Sequence, residues 1–322
     1  MEESERAAVG SALVELAGTF DSEMLTQALD DFGWEDLVRS EPAVAVASVF
    51  LAQGRAGSWS SALHDLLIEA APLDNQDLTG AAVLVPTPGS DTTVGPGPGR
   101  LDGLLIGARS GLPSVIAVGG GGDGMRVLRL PRDELDVKPV TGLDPQLPVL
   151  RVGGEIRGAE VLAEGETVRR WWAKTIASGR RAVAFELCGA MEAMLELAVT
   201  HAGDRHQFGR PVGAFQAIRH RLAECRVAIS GAHAAASASL EGEEVVLSAM
   251  AAKVVAGRAQ KLVGAHCQQV LAGIGFTAEH PFHRYLLRAT VMDRVFGSAV
   301  ELAPQLGRAL IARGGPFRMA DL

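Results

Sequence analysis

The stretch that decides the fold runs from Arg180 to Gly213, RRAVAFELCGAMEAMLELAVTHAGDRHQFGRPVG. It starts as an apolar helix. Val183, Leu187, Ala190, Met194, Leu197 and His201 recur at steps of three and four, which gives one buried stripe. Glu186, Glu192 and Glu196 fall largely off that stripe. The helix gives way to Asp204-Arg205-His206-Gln207-Phe208-Gly209-Arg210-Pro211, a tight turn that carries a cation, an amide and an aromatic ring. A guanidinium grips a phosphate through two parallel hydrogen bonds, and an exposed Phe lies well against a planar heterocycle.

Working outward, the chain from Glu166 onward reads as four long helices over about 166–203, 213–239, 243–272 and 280–312, with turns at Gly209–Pro211, Gly242, Gly273–Gly275 and Pro281. Helices of that length with short connections form an antiparallel bundle. Residues 77–165 have a different texture. Gly and Pro are frequent, and short apolar runs (Ala81–Val85, Leu104–Ile106, Ser114–Val118, Met125–Leu130, Val149–Val152) predict a small β unit. The Pro96–Gly99 and Gly119–Gly122 runs lack the lysine of a phosphate loop and do not lead into a helix, so they read as hairpin connections. Residues 1–76 predict a helical unit: Met1–Ala17, Glu23–Phe32 with Ser22 as N-cap, a break at Gly33-Trp34, then Pro42–Gln53 and Ser58–Ile68. The fold expected is mostly α with a central β unit: helical domain 1–76, small β domain 77–165, four-helix bundle 166–322.

Composition narrows the function. A net charge of −8 and the lack of a basic run argue against nucleic acid. Cys188, Cys225 and Cys267 have no metal-ligand spacing and read as buried apolar residues in a reducing cytoplasm, so no metal is expected. The N-terminus lacks a basic-then-apolar leader, and no apolar run is long enough for a bilayer, so no membrane partner is expected.

At two places the chain resembles the acyl-CoA dehydrogenase family. Arg205-His-Gln-Phe208-Gly209, followed by Phe215-Gln216-Ala-Ile218, is similar to the family's Arg-x-x-Phe-Gly turn and Phe-Gln helix start. Gln269-Val-Leu-Ala272-Gly273-Ile-Gly275-Phe276-Thr277-Ala-Glu279-His280-Pro281 is similar to its Gln-x-x-Gly-Gly loop. The resemblance is good from about Glu166 to Gly297 and thin before that. It implies removal of a proton beside a thioester carbonyl while hydride leaves the next carbon for FAD, with an electron-transfer acceptor downstream. It also implies that these motifs reach a neighbouring subunit's FAD: Arg205 on the pyrophosphate, Gln207 and Phe208 on phosphate or ring, Gln216 on the adenosine side, and Gln269 with Gly273 over the adenine end. Ala272, where the family often has glycine, crowds the backbone there.

The resemblance also implies a glutamate base at one of two positions, just before the Gly297-Ser298 pair or just before Arg180. Here those residues are Phe296 and Gly179, and neither takes a proton. Glu186, Asp293 and Glu279 are weaker candidates. Helix contact for Glu186, pairing with Arg294 or Arg288 for Asp293, and capping of the helix at Pro281 for Glu279 are the competing structural roles. Val85-Pro86-Thr87-Pro88-Gly89-Ser90-Asp91 partly echoes the family's flavin-lining segment, and the strand Ser114–Val118 lacks the Trp of a second one. Together these imply a reduced subunit that completes the FAD site of a full-length acyl-CoA dehydrogenase partner in an α2β2 assembly. The pairing resembles that of bacterial steroid-CoA dehydrogenases. A self-sufficient homo-oligomer with a displaced base and a non-enzymatic scaffold of the same fold are the alternatives.

Overall fold

The computed structural model describes residues 3–20, 22–69, 78, 80–94, 99–120, 124–142, 144–315 and 317–319. Five helices come first: α1 (Glu3–Thr19), α2 (Ser22–Phe32), α3 (Trp34–Ser40), α4 (Pro42–Ala56) and α5 (Ala62–Glu69). Gly33 adopts φ 86, a left-handed conformation that suits glycine, and turns the chain between α2 and α3. Pro42 occupies the first turn of α4, where its missing N–H costs nothing. Ser22 is not the expected cap. It lies within α2, and its hydroxyl accepts from the Trp59 N–H at 3.1 Å, which ties α2 to the α4–α5 connection. The helix predicted from Ser58 starts at Ala62. Ser60 Oγ donates to Gln53 Oε1 at 2.6 Å and accepts from the Ala62 N–H, so it shapes the entry instead.

Eight strands follow: β1 (Ala82–Val83), β2 (Val85–Pro86), β3 (Arg100–Ile106), β4 (Ser114–Gly119), β5 (Arg126–Pro131), β6 (Asp136–Pro139), β7 (Val149–Glu155) and β8 (Glu160–Glu164). They form two sheets of order β1-β4-β5-β8 and β2-β3-β7-β6. The predicted strand Ala81–Val85 is split at Leu84, where the chain passes from one sheet to the other. The parts called hairpin connections at residues 96–98 and 121–122 lie outside the described residues. Period-two alternation explains β4. Val115 and Ala117 point between the sheets with Leu84, Leu101, Leu128 and Val152, whereas Ile116 and Val118 join the core shared with the helices.

The last five helices are α6 (Glu166–Asp204), α7 (Gln216–Glu241), α8 (Val245–Leu271), α9 (Phe282–Arg294) and α10 (Ala299–Arg313). The expected fourth bundle helix, 280–312, is therefore two helices. Phe296 at φ 57 and Gly297 at φ 94 cannot continue a right-handed helix. Ser298 then opens α10 with a capping box to Glu301. α6 is the axis of the molecule, packed by α4, α5, α7, α8 and α9. It is buried on nearly every side, so Glu186, expected to lie off the apolar stripe, is only 6% exposed.

Where α4 crosses α6 the backbones nearly touch. A Cβ on Gly54 would lie 2.0 Å from Glu186 O, and one on Gly189 would lie 2.0 Å from Leu51 O. Gly189→Ala should therefore lower the unfolding free energy by about 1–3 kcal/mol in urea titration. Gly18→Ala, in a helix with open space around it, should be neutral or mildly stabilising.

Candidate functional site

Two places on the molecule carry chemistry. The first is the end of the bundle where α6 finishes. The Arg205 N–H closes the helix on His201 O at 2.9 Å. Two short strands, β9 (His206–Gln207) and β10 (Arg210–Pro211), then pair antiparallel around Phe208 and Gly209. Two residues at φ 53 and φ 77 between paired strands make the tight hairpin turn that normally asks for Asn-Gly. Phe208 in this place is strained, and its ring is 92% exposed. Phe215 meets that ring edge-on at 6.2 Å between centroids, and the Arg210 guanidinium covers Phe215 at 4.1 Å.

Arg205, Gln207 and Gln216 are exposed beside them, and so are Gln269 and Gly273. The last two reach the same end because α8 runs antiparallel to α7. Closeness of the two motifs also registers in His201: its affinity for a proton is lowered first by burial, then by the charges of His280 and Arg205. Ala272 has φ 53, a backbone conformation glycine would adopt freely. Phe276 is 68% exposed next to it.

The second place is a cavity of about 390 Å³ between the Pro86–Thr92 loop, α6, and the α9–α10 break. Trp172, Ala173, Ile176, Arg180, Phe296 and Leu302 form its inner walls. Trp172 Nε1 donates to Asp91 O at 2.8 Å and holds the loop on α6. The two expected base positions meet here. A Cβ on residue 179 would lie 2.4 Å from Phe296 Cε2, so the Phe296 ring occupies the space of a side chain at 179. Arg180 Nε donates to Phe296 O at 3.0 Å. A second cavity of about 680 Å³ lies across Pro86–Pro88, between β2, β3, β7 and α9. Its walls are chiefly Val85, Leu104, Ile106, Val149, Val291 and Val295, with Thr87, Thr290 and Arg294 among its polar lining.

None of the three alternative carboxylates lines either cavity. Asp293 does not pair with Arg294 or Arg288. It is 2% exposed, accepts from the Ala299 N–H at 3.2 Å and faces Lys253 Nζ at 3.6 Å. Lys253 is itself fully buried and donates to Asp293 O at 2.8 Å and Gly297 O at 3.1 Å. Burial lowers its pKa to about 8 despite the carboxylate beside it. Glu279 is exposed and caps nothing; His280 Nδ1 accepts from the Phe282 N–H at 3.2 Å instead. Glu186 Oε1 lies 3.5 Å from Arg288 Nη1, in a buried cluster where Arg288 also pairs with Asp144 and donates to Ser58 O at 2.6 Å. Burial raises the Glu186 pKa to about 7, with Arg288 opposing and Asp144 adding to the shift.

Sequence reasoning missed Lys253 and the Arg288 cluster. The readable signal was a lone Lys inside the run Ser248-Ala-Met-Ala-Ala-Lys253-Val-Val-Ala256, where a solvated charge has no natural place. Among the described residues there is no cluster with metal-ligand character, and no helix is long and apolar enough to cross a membrane.

Known proteins resemble this chain in sequence and in fold. Residues 169–310 match the family model described as acyl-CoA dehydrogenase, C-terminal domain. Over those residues the chain is similar to the acyl-CoA dehydrogenase family. Acyl-CoA dehydrogenase FadE34 of Mycobacterium tuberculosis is 36% identical over 164 residues, covering 49% of this chain and 22% of that protein. Acyl-CoA dehydrogenase IpdE2 of the same organism is 38% identical over 124 residues, covering 38% of this chain and 39% of its own length. The matched region thus spans well under half of each of these two relatives. The solved ChsE4–ChsE5 complex from Mycobacterium tuberculosis has a chain that superposes with TM-score 0.77 at 18% identity, covering 98% of this chain and 99% of that one. A chain of the Tcur3481–Tcur3483 steroid ACAD (a G363A variant) gives TM-score 0.77 at 21% identity, covering 97% and 98%. The likeness of fold therefore extends over the β sheets and the N-terminal helices.

Two outcomes test the site. Gly179→Ala should cost about 1–3 kcal/mol of stability in a denaturant melt, and much less in a Phe296→Ala background, where the ring is gone. Glu186 has a folded pKa of about 7, above its ordinary 4.5, so the folded state holds a proton that the unfolded state has released. The native protein should accordingly lose stability relative to Glu186→Gln as pH rises from about 4.5 to about 7, on the order of 3 kcal/mol in all, with no further change above.

Proposed function

We propose that this chain is a subunit of an FAD-dependent acyl-CoA dehydrogenase, lacks its own base, and completes the FAD site of a full-length partner. The observation that carries the reading is the Phe296 ring lying where the side chain of residue 179 would be. In an α,β-dehydrogenation a base within reach of the carbon beside the thioester takes a proton. FAD, when bound, accepts the hydride from the neighbouring carbon. Here both positions that would hold the base are spent on packing, and of the three alternative acids Glu186 and Asp293 are tied into buried ion clusters while Glu279 is exposed and outside the cavity lining.

The exposed turn supports the other half of the reading. Arg205 supplies a fork for a pyrophosphate, Gln207 and Gln216 supply amide donors, and Phe208 offers a ring face that is 92% in water. Gln269 and Gly273 stand on the same end of the bundle and would close over the adenine side.

A heteromeric assembly is in keeping with ChsE4–ChsE5 and Tcur3481–Tcur3483, which are complexes of two named components, the second titled a steroid ACAD. On that basis the partner is a full-length dehydrogenase chain in an α2β2 assembly, and the substrate is an acyl-CoA with a steroid-derived acyl group. A cytoplasmic location and an electron-transfer acceptor go with this reading.

Native mass spectrometry of the purified complex should count equal numbers of this chain and a longer one, with one flavin per pair. Arg205→Ala should release most of that flavin while leaving the chain's own melting temperature unchanged, because Arg205 is exposed. A homo-oligomer with one flavin per chain would overturn the proposal.

A further inference from the structure

Cys225 and Cys267 meet where α7 packs against α8. Both are completely buried, and their side chains are hydrogen-bonded to one another. The residues just before them meet as well: Glu224 Oε2 lies 3.4 Å from His266 Nδ1. At the other end of the helix pair Ser248 Oγ donates to Ser239 O at 3.4 Å, so α7 and α8 stay together along their length. The buried residues of α7 are Cys225, Ala232, Ala236 and Ser239, with Ile229 the one large side chain among them. A disulfide demands Cα atoms about 4.4–6.8 Å apart, and small side chains let neighbouring helices reach that spacing.

The two thiols are unequal. The Cys267 S–H donates to Cys225 Sγ, which favours the Cys225 thiolate and holds the proton on Cys267. Cys188 is a different case. Burial, with Glu192 adding to it, pushes its thiol up to about 12, and among the described residues it has no cysteine partner. A thiolate is the reactive form of cysteine, so the pair is set apart from the inert buried thiol on α6. Glu224 is exposed and His266 half-buried, which brings water within one residue of each sulfur.

We propose that Cys225 and Cys267 form a redox pair, oxidised by a hydroperoxide to a disulfide that joins α7 to α8. The Cys225 thiolate attacks one peroxide oxygen, the O–O bond breaks, and the other oxygen leaves as hydroxide. Cys225 is then a sulfenic acid. The Cys267 sulfur attacks it, the S–O bond breaks, and the departing hydroxide takes the Cys267 proton and leaves as water. The hydroxide from the first step takes up the proton that Cys225 gave. Two thiols thus lose two protons and two electrons, and hydrogen peroxide becomes two waters. The new bond lies about two and a half turns into α7 from Gln216 and about half a turn before Gln269, so it fixes the spacing of the helices near the bundle end. The pair belongs to this chain's own core and is independent of the subunit reading.

The test treats the full chain, alone or in the complex in which it purifies, with hydrogen peroxide under native conditions. Remaining thiols are alkylated in denaturant, and unreduced peptides are mapped by mass spectrometry. Free thiols should fall from three per chain to one, Cys188. A peptide pair joined at 225 and 267 should appear, two hydrogens lighter than its parts, and dithiothreitol should restore all three thiols. Cys188→Ala should leave the cross-link intact, and Cys225→Ala should abolish it. Three free thiols after treatment, over-oxidised Cys225 or Cys267 without a cross-link, a bridge that includes Cys188 or a second chain, or a bridge that forms only after the chain is unfolded in urea would each overturn the proposal.

Discussion

The break between α9 and α10 depends on one buried ammonium. When a helix stops, its last carbonyls have no N–H to meet, and inside a protein they need another donor. Lys253 Nζ, from the middle of α8, supplies it to Asp293 O and Gly297 O. Arg180, from α6, supplies the same service to Phe296 O. The carboxylate of Asp293 offsets part of the charge and also holds the Ala299 N–H at the start of α10. Four helices are thus tied at one turn. Removing Lys253 would leave two buried carbonyls without their donor and a buried carboxylate without its counter-charge, which is why a fully buried lysine is tolerated here. Gly257 belongs to the same arrangement, since a Cβ there would lie 2.2 Å from Asp293 Oδ1.

That turn sets the orientation of Phe296. With its carbonyl held by Arg180 and its φ in the left-handed region, the ring is directed over Gly179. The absence of a side chain at 179 and the presence of a large one at 296 are therefore a single packing solution. Neither residue can change alone without leaving a hole or a clash. This coupling also explains why the cavity survives at all: the ring closes one wall, while Trp172, anchored on Asp91 O, holds the Pro86–Thr92 loop at a distance on the other.

The legible parts of the chain were those whose signals are local. The hairpin turn at Phe208-Gly209, the left-handed Gly33, the proline that opens α4 and the apolar runs of β3, β4, β5 and β7 each announce themselves within a few residues. The unread parts depend on partners far along the chain. Glu186 was expected off the apolar stripe at a helix contact, because its neighbours could not tell that α6 is covered on nearly every side, nor that Arg288 and Asp144 would come to meet it. Residues 280–312 looked continuous because Val295-Phe296 fits a helical stripe. The Ser298-x-x-Glu301 capping box was the local warning, and it was readable. The short strands β6 and β8 lie at sheet edges with mostly exposed or half-buried residues, so they carry little apolar alternation to detect.

Distance separates the two chemical places on this molecule. Both are built on α6: Gly179 and Arg180 stand near its first third, and Arg205 follows its last residue, Asp204. At about 1.5 Å of rise per residue, roughly 39 Å of helix lies between Gly179 and Arg205. A group that touches Phe208 is therefore remote from one lodged against Phe296 in the same chain. The bundle end keeps an exposed Phe208 in a strained backbone conformation beside an exposed Arg205. The cavity end, by contrast, is closed by packing, with the Phe296 ring over Gly179. The helix between them is rigid, and each end answers to a different neighbour.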